Sequence, residues 1–190
     1  VAAEAERCGV VVFRGSEEDV LDRYYRAAEA LQADFVLRVT SDCPLIDPVV
    51  CGLVLDEVTE DRADFATNNI PPTWPHGLDC EAFTFTLLER AAGEAELPEE
   101  REHVSPFMRR VTDVRRANVS TEGNDISHHR WALDTPQDYA FLQALFANLP
   151  QGSKSRDYHI PLALVEADSA LAAINAGHEH PLKHEHSVSR

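Results

Sequence analysis

The sequence is poor in positive charge. Seventeen Lys and Arg stand against 33 Asp and Glu in 190 residues, a formal net charge of −16. Nucleic acid binds by exchanging its counterions for clustered Lys and Arg, so this surface repels a phosphate backbone, although a small anionic ligand needs only a local site. Long apolar runs are also missing. No window approaches the ~20 apolar residues of a membrane helix, and the longest runs, such as Val10-Val11-Val12-Phe13, are strand-sized. Cysteine is scarce: Cys8, Cys43, Cys51 and Cys80 show no CxxC spacing, which reads as reduced thiols in a cytoplasmic protein and not as a disulfide framework. The first residues lack the charged-then-apolar pattern of a signal peptide. Aromatics are 7% of the chain and hydrophobic residues 44%, the composition of a globular protein that buries roughly 70% of its unfolded surface.

Residues 2–7 read as the end of a helix closed by Gly9, followed by a strand over 10–13. Ser16 precedes the acids Glu17, Glu18 and Asp19, and Val20, Leu21, Tyr24, Tyr25, Ala28 and Leu31 recur at helical spacing to about Gln32. A short apolar strand over 35–39 leads to the loop Thr40-Ser41-Asp42-Cys43-Pro44, and Asp47-Pro48 opens a helix to about Thr59. Strand, helix, strand and helix at a period of about 25 residues predict an α/β fold with a mostly parallel sheet and helices on both faces. After a short strand over 64–67, residues 68–77 are too rich in Pro and Asn for regular structure and read as a long surface loop. Further strands are expected over 80–85, 114–119 and 129–133, and helices over 86–96, 100–110 and from Thr135-Pro136 to Phe146. One domain is expected over residues 1–150. Residues 151–190 form a short helical tail with four histidines within 178–186, which read as adventitious metal ligands.

In open parallel sheets, ligands bind beyond the carboxyl ends of the strands. Asp42 follows one such strand and Asp134 another. Carboxylates about 4 Å apart repel by roughly 4 kcal/mol at an effective dielectric of ~20, a penalty that a divalent cation removes. Oxygen-only ligands favour magnesium or manganese, which commonly join one or two carboxylates to the phosphates of a substrate. The plainer alternatives are that Asp42 shapes a turn and that Asp134 caps the next helix. Trp74 and Trp131 suit packing better than ligand stacking.

Five ordered blocks carry a resemblance over about residues 1–150. They are Phe13-Arg14-Gly15-Ser16-Glu17-Glu18-Asp19, Arg38-Val39-Thr40-Ser41-Asp42-Cys43-Pro44-Leu45-Ile46-Asp47, Trp74-Pro75-His76-Gly77-Leu78-Asp79-Cys80-Glu81, Arg101-Glu102-His103-Val104-Ser105-Pro106 and Arg130-Trp131-Ala132-Leu133-Asp134-Thr135-Pro136. They resemble the spore-coat polysaccharide cytidylyltransferases, relatives of the CMP-KDO and acylneuraminate cytidylyltransferases. The resemblance implies a nucleotide-diphospho-sugar transferase fold, transfer of CMP from CTP to a sugar with release of pyrophosphate, dependence on Mg2+, and a homodimer. It implies that Asp42 and Asp134 hold the metal, that Arg14, Gly15, Ser16 and Arg38 lie near the nucleotide, and that Asp79, Glu81, Glu102 and His103 line the sugar pocket.

One family feature is not found in these 190 residues: a first strand with a loop of the form GSTRLPGK that cradles the triphosphate. The first residues look like the helix before the family's third strand, so the chain by itself is expected to bind CTP poorly. A non-catalytic binding or assembly module of the same fold is the alternative to the enzyme. A metal-binding chaperone working through the histidine tail is a third reading.

Overall fold

A computed structural model describes residues 1–150 and 157–176 of the chain. The elements run α1 (Ala2–Arg7), α2 (Val20–Ala30), β1 (Phe35–Arg38), α3 (Pro48–Thr59), β2 (Phe65–Thr67), β3 (Glu81–Thr84), α4 (Phe85–Glu94), α5 (Pro98–His103), α6 (Pro106–Arg110), β4 (Arg116–Asn118), α7 (Pro136–Asn148), α8 (His159–Ala167) and α9 (Ser169–Ala173). The strands form a sheet in the order β1-β3-β2-β4. β2 and β4 pair in parallel, with Phe65 opposite Arg116 and Thr67 opposite Asn118, so the fold is α/β as the element order predicts. By packing, the chain divides into two units: Val1–Val36 with Phe83–Arg115, and Leu37–Ala82 with the described residues from Arg116 onward. Among the described residues no helix is long and apolar enough to cross a membrane.

The first unit is mainly helical. Helix α2 starts at Val20 because the Asp19 carboxylate accepts the Asp22 N–H at 2.9 Å. The Ser16 hydroxyl accepts the N–H groups of Glu18 and Asp19, so the acidic run forms a turn ahead of the helix and not its first turn. α2 packs against α4 and α5, burying Leu21 and Ala28 in a unit whose core includes Phe83, Leu88, Phe107 and Met108. Each of the larger side chains contributes about 1.5–3 kcal/mol by leaving water. Residues 10–13 are not the expected strand: the segment is irregular, and Val10, Val11 and Phe13 are exposed. Strand propensity describes fit to a pleated, half-buried surface, and this segment is given none. The single helix expected over 100–110 is split, because Val104 has φ 72° and ψ −58° and the Ser105 N–H donates to the His103 carbonyl at 2.8 Å. This is a γ-turn, strained for a β-branched residue and held by complete burial of the Val104 side chain.

In the second unit, Asp47 caps α3 as expected, its Oδ1 accepting from the Val49 and Val50 N–H groups ahead of Pro48 in the first turn. Its Oδ2 accepts the Tyr158 N–H at 2.8 Å, which ties the C-terminal segment to the α3 cap. Thr135, and not Asp134, caps α7, with Asp138 closing the capping box. Helices α8 and α9 pack on α7, and Val165 and Leu171 join a core with Trp74, Leu78, Trp131, Phe141 and Leu145. A second cluster holds Cys51, Val54, Val58, Ala66, Cys80 and Ala82. The strand expected over 129–133 is reduced to one parallel bridge between His76 and Arg130, since the Trp131 and Leu133 N–H groups bond to two loops, at His76 and Asp42. The expected surface loop over 68–77 is largely internal: Asn68, Asn69 and Trp74 are buried, because asparagine side chains supply the hydrogen bonds that buried loop backbone needs. The histidines of 178–186 lie outside the described residues.

Candidate functional site

The candidate site lies within the second unit and is assembled by three loops. The first carries Asp42 beyond β1, the second runs from Trp74 to Cys80, and the third carries Asp134 between the His76–Arg130 bridge and α7. The Leu133 N–H donates to the Asp42 carbonyl at 2.8 Å, which joins the two acid-bearing loops directly. The His76 N–H donates to the His129 carbonyl at 3.1 Å and the Trp131 N–H to the His76 carbonyl at 2.6 Å. Gly77 makes this approach possible. It sits at φ +111°, and a Cβ there would lie 2.5 Å from the Trp131 carbonyl carbon.

Asp79 is fixed by its own turn. Its Oδ2 accepts the Gly77 N–H at 2.8 Å and contacts His76 Nδ1 at 2.9 Å, and its Oδ1 accepts from Asn69 Nδ2 at 3.1 Å. Asn68 clamps the residues on either side, donating to the Leu78 carbonyl and accepting from the Cys80 N–H. Cys43 shows what these loops bring together. Its thiol is pushed up to about 12 by burial and, after a smaller opposing effect of the Thr40 hydroxyl, by the charges of Asp42, Asp79 and Asp134. Three carboxylates therefore act on one buried sulfur, and Asp42 Oδ1 lies 3.8 Å from it.

Asp134 is half-exposed and accepts from Arg130 Nη2 at 2.5 Å. Arg130 also donates through Nε to Asp138 Oδ1 at 2.9 Å and through Nη2 to Asp138 Oδ2 at 3.1 Å. Asp138 is fully buried. Burial works to raise its pKa, but Arg130, the Asn175 amide and the Asp134 N–H overcome it and hold the carboxyl well below the usual carboxylate range.

The other residues expected at the site are distributed differently. Arg38 and Glu81, assigned to nucleotide and sugar, pair with each other: Arg38 Nη1 donates to the buried Glu81 at 2.9 Å, and Arg38 Nε is buried without a partner. Arg14, Gly15 and Ser16 belong to the first unit and are exposed, and the Ser16 carbonyl accepts from Arg23 at 2.8 Å. Glu102 and His103 also belong to the first unit, exposed at the end of α5 immediately before the Val104 turn. Sequence reasoning missed Arg130, Asp138, Asn175 and the Asn68-Asn69 pair. Only Asp138 left a readable trace, three residues after a Thr that precedes Pro, the spacing of a capping box.

A family model described as cytidylyltransferase matches residues 1–143. The chain is 40% identical over 101 residues to an uncharacterized protein of Methanocaldococcus jannaschii, a match covering 53% of this chain and 40% of that protein. It is 28% identical over 141 residues to the spore coat polysaccharide biosynthesis protein SpsF of Bacillus subtilis, covering 73% of this chain and 58% of SpsF. The chain thus spans about half the length of these curated relatives. It is also similar to the solved structure of a cytidylyltransferase from Leptospira borgpetersenii serovar Hardjo-bovis, with a TM-score of 0.85 and 31% identity over 94% of this chain and 75% of that one. The fold is therefore that of the nucleotide-diphospho-sugar transferases.

Proposed function

Because this chain belongs to the cytidylyltransferase family, we propose that it serves transfer of a cytidylyl group from CTP to a sugar, with release of pyrophosphate, in the assembly of a surface polysaccharide. The observation that carries this reading is the bond from the Leu133 N–H to the Asp42 carbonyl, which sets two acid-bearing loops side by side. Asp42 and Asp134 are the residues that would hold magnesium. Their all-oxygen donor set suits that ion, and two carboxylates leave its remaining positions to water and phosphate oxygens. Among the described residues no group of three or more His, Cys, Asp and Glu side chains is arranged to hold a metal, so the substrate would complete the coordination. When bound, the cation offsets charge that spreads over the phosphoryl oxygens under attack.

The chain's own groups bind and orient. The buried Arg38 Nε offers an N–H to an acceptor oxygen. Of the sugar-side residues in the second unit, Asp79 is the better placed, since its charge acts on Cys43 together with those of Asp42 and Asp134, while Glu81 is engaged by Arg38. Its three donors fix its direction for orienting a hydroxyl. Arg14, Gly15 and Ser16 for the nucleotide, and Glu102 and His103 for the sugar, remain proposals carried by the resemblance and by their exposure on the first unit.

The test is pyrophosphate release by the complete gene product from CTP, with ATP and UTP as controls, magnesium present and a panel of sugars. Asp42→Asn and Asp134→Asn should each lower kcat by about 100-fold or more while leaving the circular dichroism spectrum unchanged. Turnover indifferent to both substitutions overturns the reading.

A further inference from the structure

Arg130 stands between two carboxylates in unlike surroundings. Towards Asp138 it is anchored twice, through Nε at 2.9 Å and Nη2 at 3.1 Å. That anchor is buried and braced: Asp138 is fully buried, and Asn175 Nδ2 donates both to Asp138 Oδ1 at 3.0 Å and to the Arg130 carbonyl at 2.9 Å. Towards Asp134 there is one contact, made by the same Nη2 at 2.5 Å, to a side chain 46% exposed. The cation beside Asp134 is a guanidinium, whose planar fork can keep one carboxylate while releasing another.

We infer that Arg130 is the resident counter-cation of Asp134: it neutralises this carboxylate in the free protein and yields it only to a divalent cation that arrives with the phosphates of a nucleotide, remaining anchored on Asp138 throughout. The inference rests on the reading of Asp134 as a metal-holding acid. A bare divalent cation approaching Asp134 meets a positive charge already at hydrogen-bond distance from the carboxylate, and the like charges repel. A cation carried by a triphosphate brings anionic oxygens that the same guanidinium attracts. The order of binding follows, with metal and nucleotide entering together and little metal bound beforehand. Arg130 is in this sense a positioning residue: it acts on the reaction through Asp134.

Manganese binding, read from the electron paramagnetic resonance of the free ion, tests this without turnover. Wild-type protein alone should bind manganese weakly, and Arg130→Gln should bind it about tenfold more tightly, the size of one removed charge contact. The gain should vanish in the double variant R130Q/D134N, whereas a merely structural role for Arg130 predicts no gain at all. If Arg130→Gln leaves Asp138 too poorly satisfied to fold, R130Q/D138N removes both buried charges together and carries the same expectation. A folded variant lacking Arg130 that binds manganese no better than wild type, or a gain that survives Asp134→Asn, overturns the inference. The underlying reading fails separately: if manganese binding in the presence of CTP is untouched by Asp134→Asn in otherwise wild-type protein, Asp134 holds no metal, and the inference falls with it.

Discussion

Asp19 and Glu100 in the first unit, and Asp42, Asp79 and Asp134 in the second, are all carboxylates at loop ends or helix starts, yet they are engaged differently. Asp19 caps α2 and accepts from Arg101 at 2.5 Å, and Arg101 also reaches the Ala92 carbonyl, so one arginine links three segments. Glu100 is buried, bonded to Arg110 at 2.8 Å and to the N–H groups of Glu96 and Leu97. In the second unit the charges of Asp42, Asp79 and Asp134 instead all act on the buried Cys43 thiol, Asp42 Oδ1 from 3.8 Å, and Asp134 shares its arginine, Arg130, with Asp138. A carboxylate met by a cation and backbone N–H groups reads as scaffold. Carboxylates from three loops whose charges add on one buried thiol mark a candidate site.

Asp138 offers the hardest test of that contrast, since it is a scaffold carboxylate inside the unit that carries the site. Asp138→Ala strands the Arg130 guanidinium and removes the acceptor of the Asp134 and Thr135 N–H groups. It should cost about 3–5 kcal/mol in urea unfolding, and an unchanged midpoint would show that the buried pair is not structural. Gly77→Ala comes next. The new Cβ would press on the Trp131 carbonyl from a residue held at φ +111°, and a loss of about 2–4 kcal/mol is expected by the same measurement.

A smaller effect separates the units by pH. Burial works to raise the Glu100 pKa, but Arg110 and the Leu97 and Glu96 N–H groups leave it below its ordinary 4.5. A depressed folded-state value contributes stability that is present above 4.5 and lost as the pH falls through the lower folded value. Glu100→Gln should therefore cost about 1–2 kcal/mol at neutral pH and flatten the acid limb of a stability-against-pH curve. An unchanged slope below pH 4.5 would remove Glu100 from that account.

What could be read in the sequence was local. Asp47-Pro48 and Thr135-Pro136 announce helix starts because cap, first turn and proline ring act within four residues. Residues 10–13 mislead because a strand requires a neighbour, and no propensity within the run supplies one. The Val104 turn is invisible for the opposite reason: valine disfavours that backbone, and only burial of its side chain by distant residues enforces it. In the candidate site, Asp42 and Asp134 could be singled out by their position after apolar runs, but the bond joining their loops spans 91 positions and has no local trace. In the Arg130–Asp138–Asn175 network Arg130 and Asp138 are eight positions apart, but Asn175 joins from 37 positions beyond Asp138, in a segment whose sequence pattern is weak. Asn68 and Asn69 read as loop residues because asparagine favours turns. Their use as internal hydrogen-bond donors depends on what packs over them.

The cysteines give the mildest probe of the same contrast, because labelling perturbs the fold least. Cys8 is exposed in the first unit, while Cys43, Cys51 and Cys80 are buried in the second. Thiolate is the reacting form. Cys43 is held protonated, with burial the larger cause and the three carboxylates adding to it, and Cys80 is held protonated by donating its hydrogen to Cys51. The same hydrogen bond draws the Cys51 thiol down, so burial alone protects it. Iodoacetamide at pH 8 should therefore add one label per folded chain, at Cys8, and four after denaturation, counted by mass spectrometry. A second label at Cys43 in the native protein would mean that the sulfur is neither buried nor held protonated, and the action of Asp42, Asp79 and Asp134 on it would have to be abandoned.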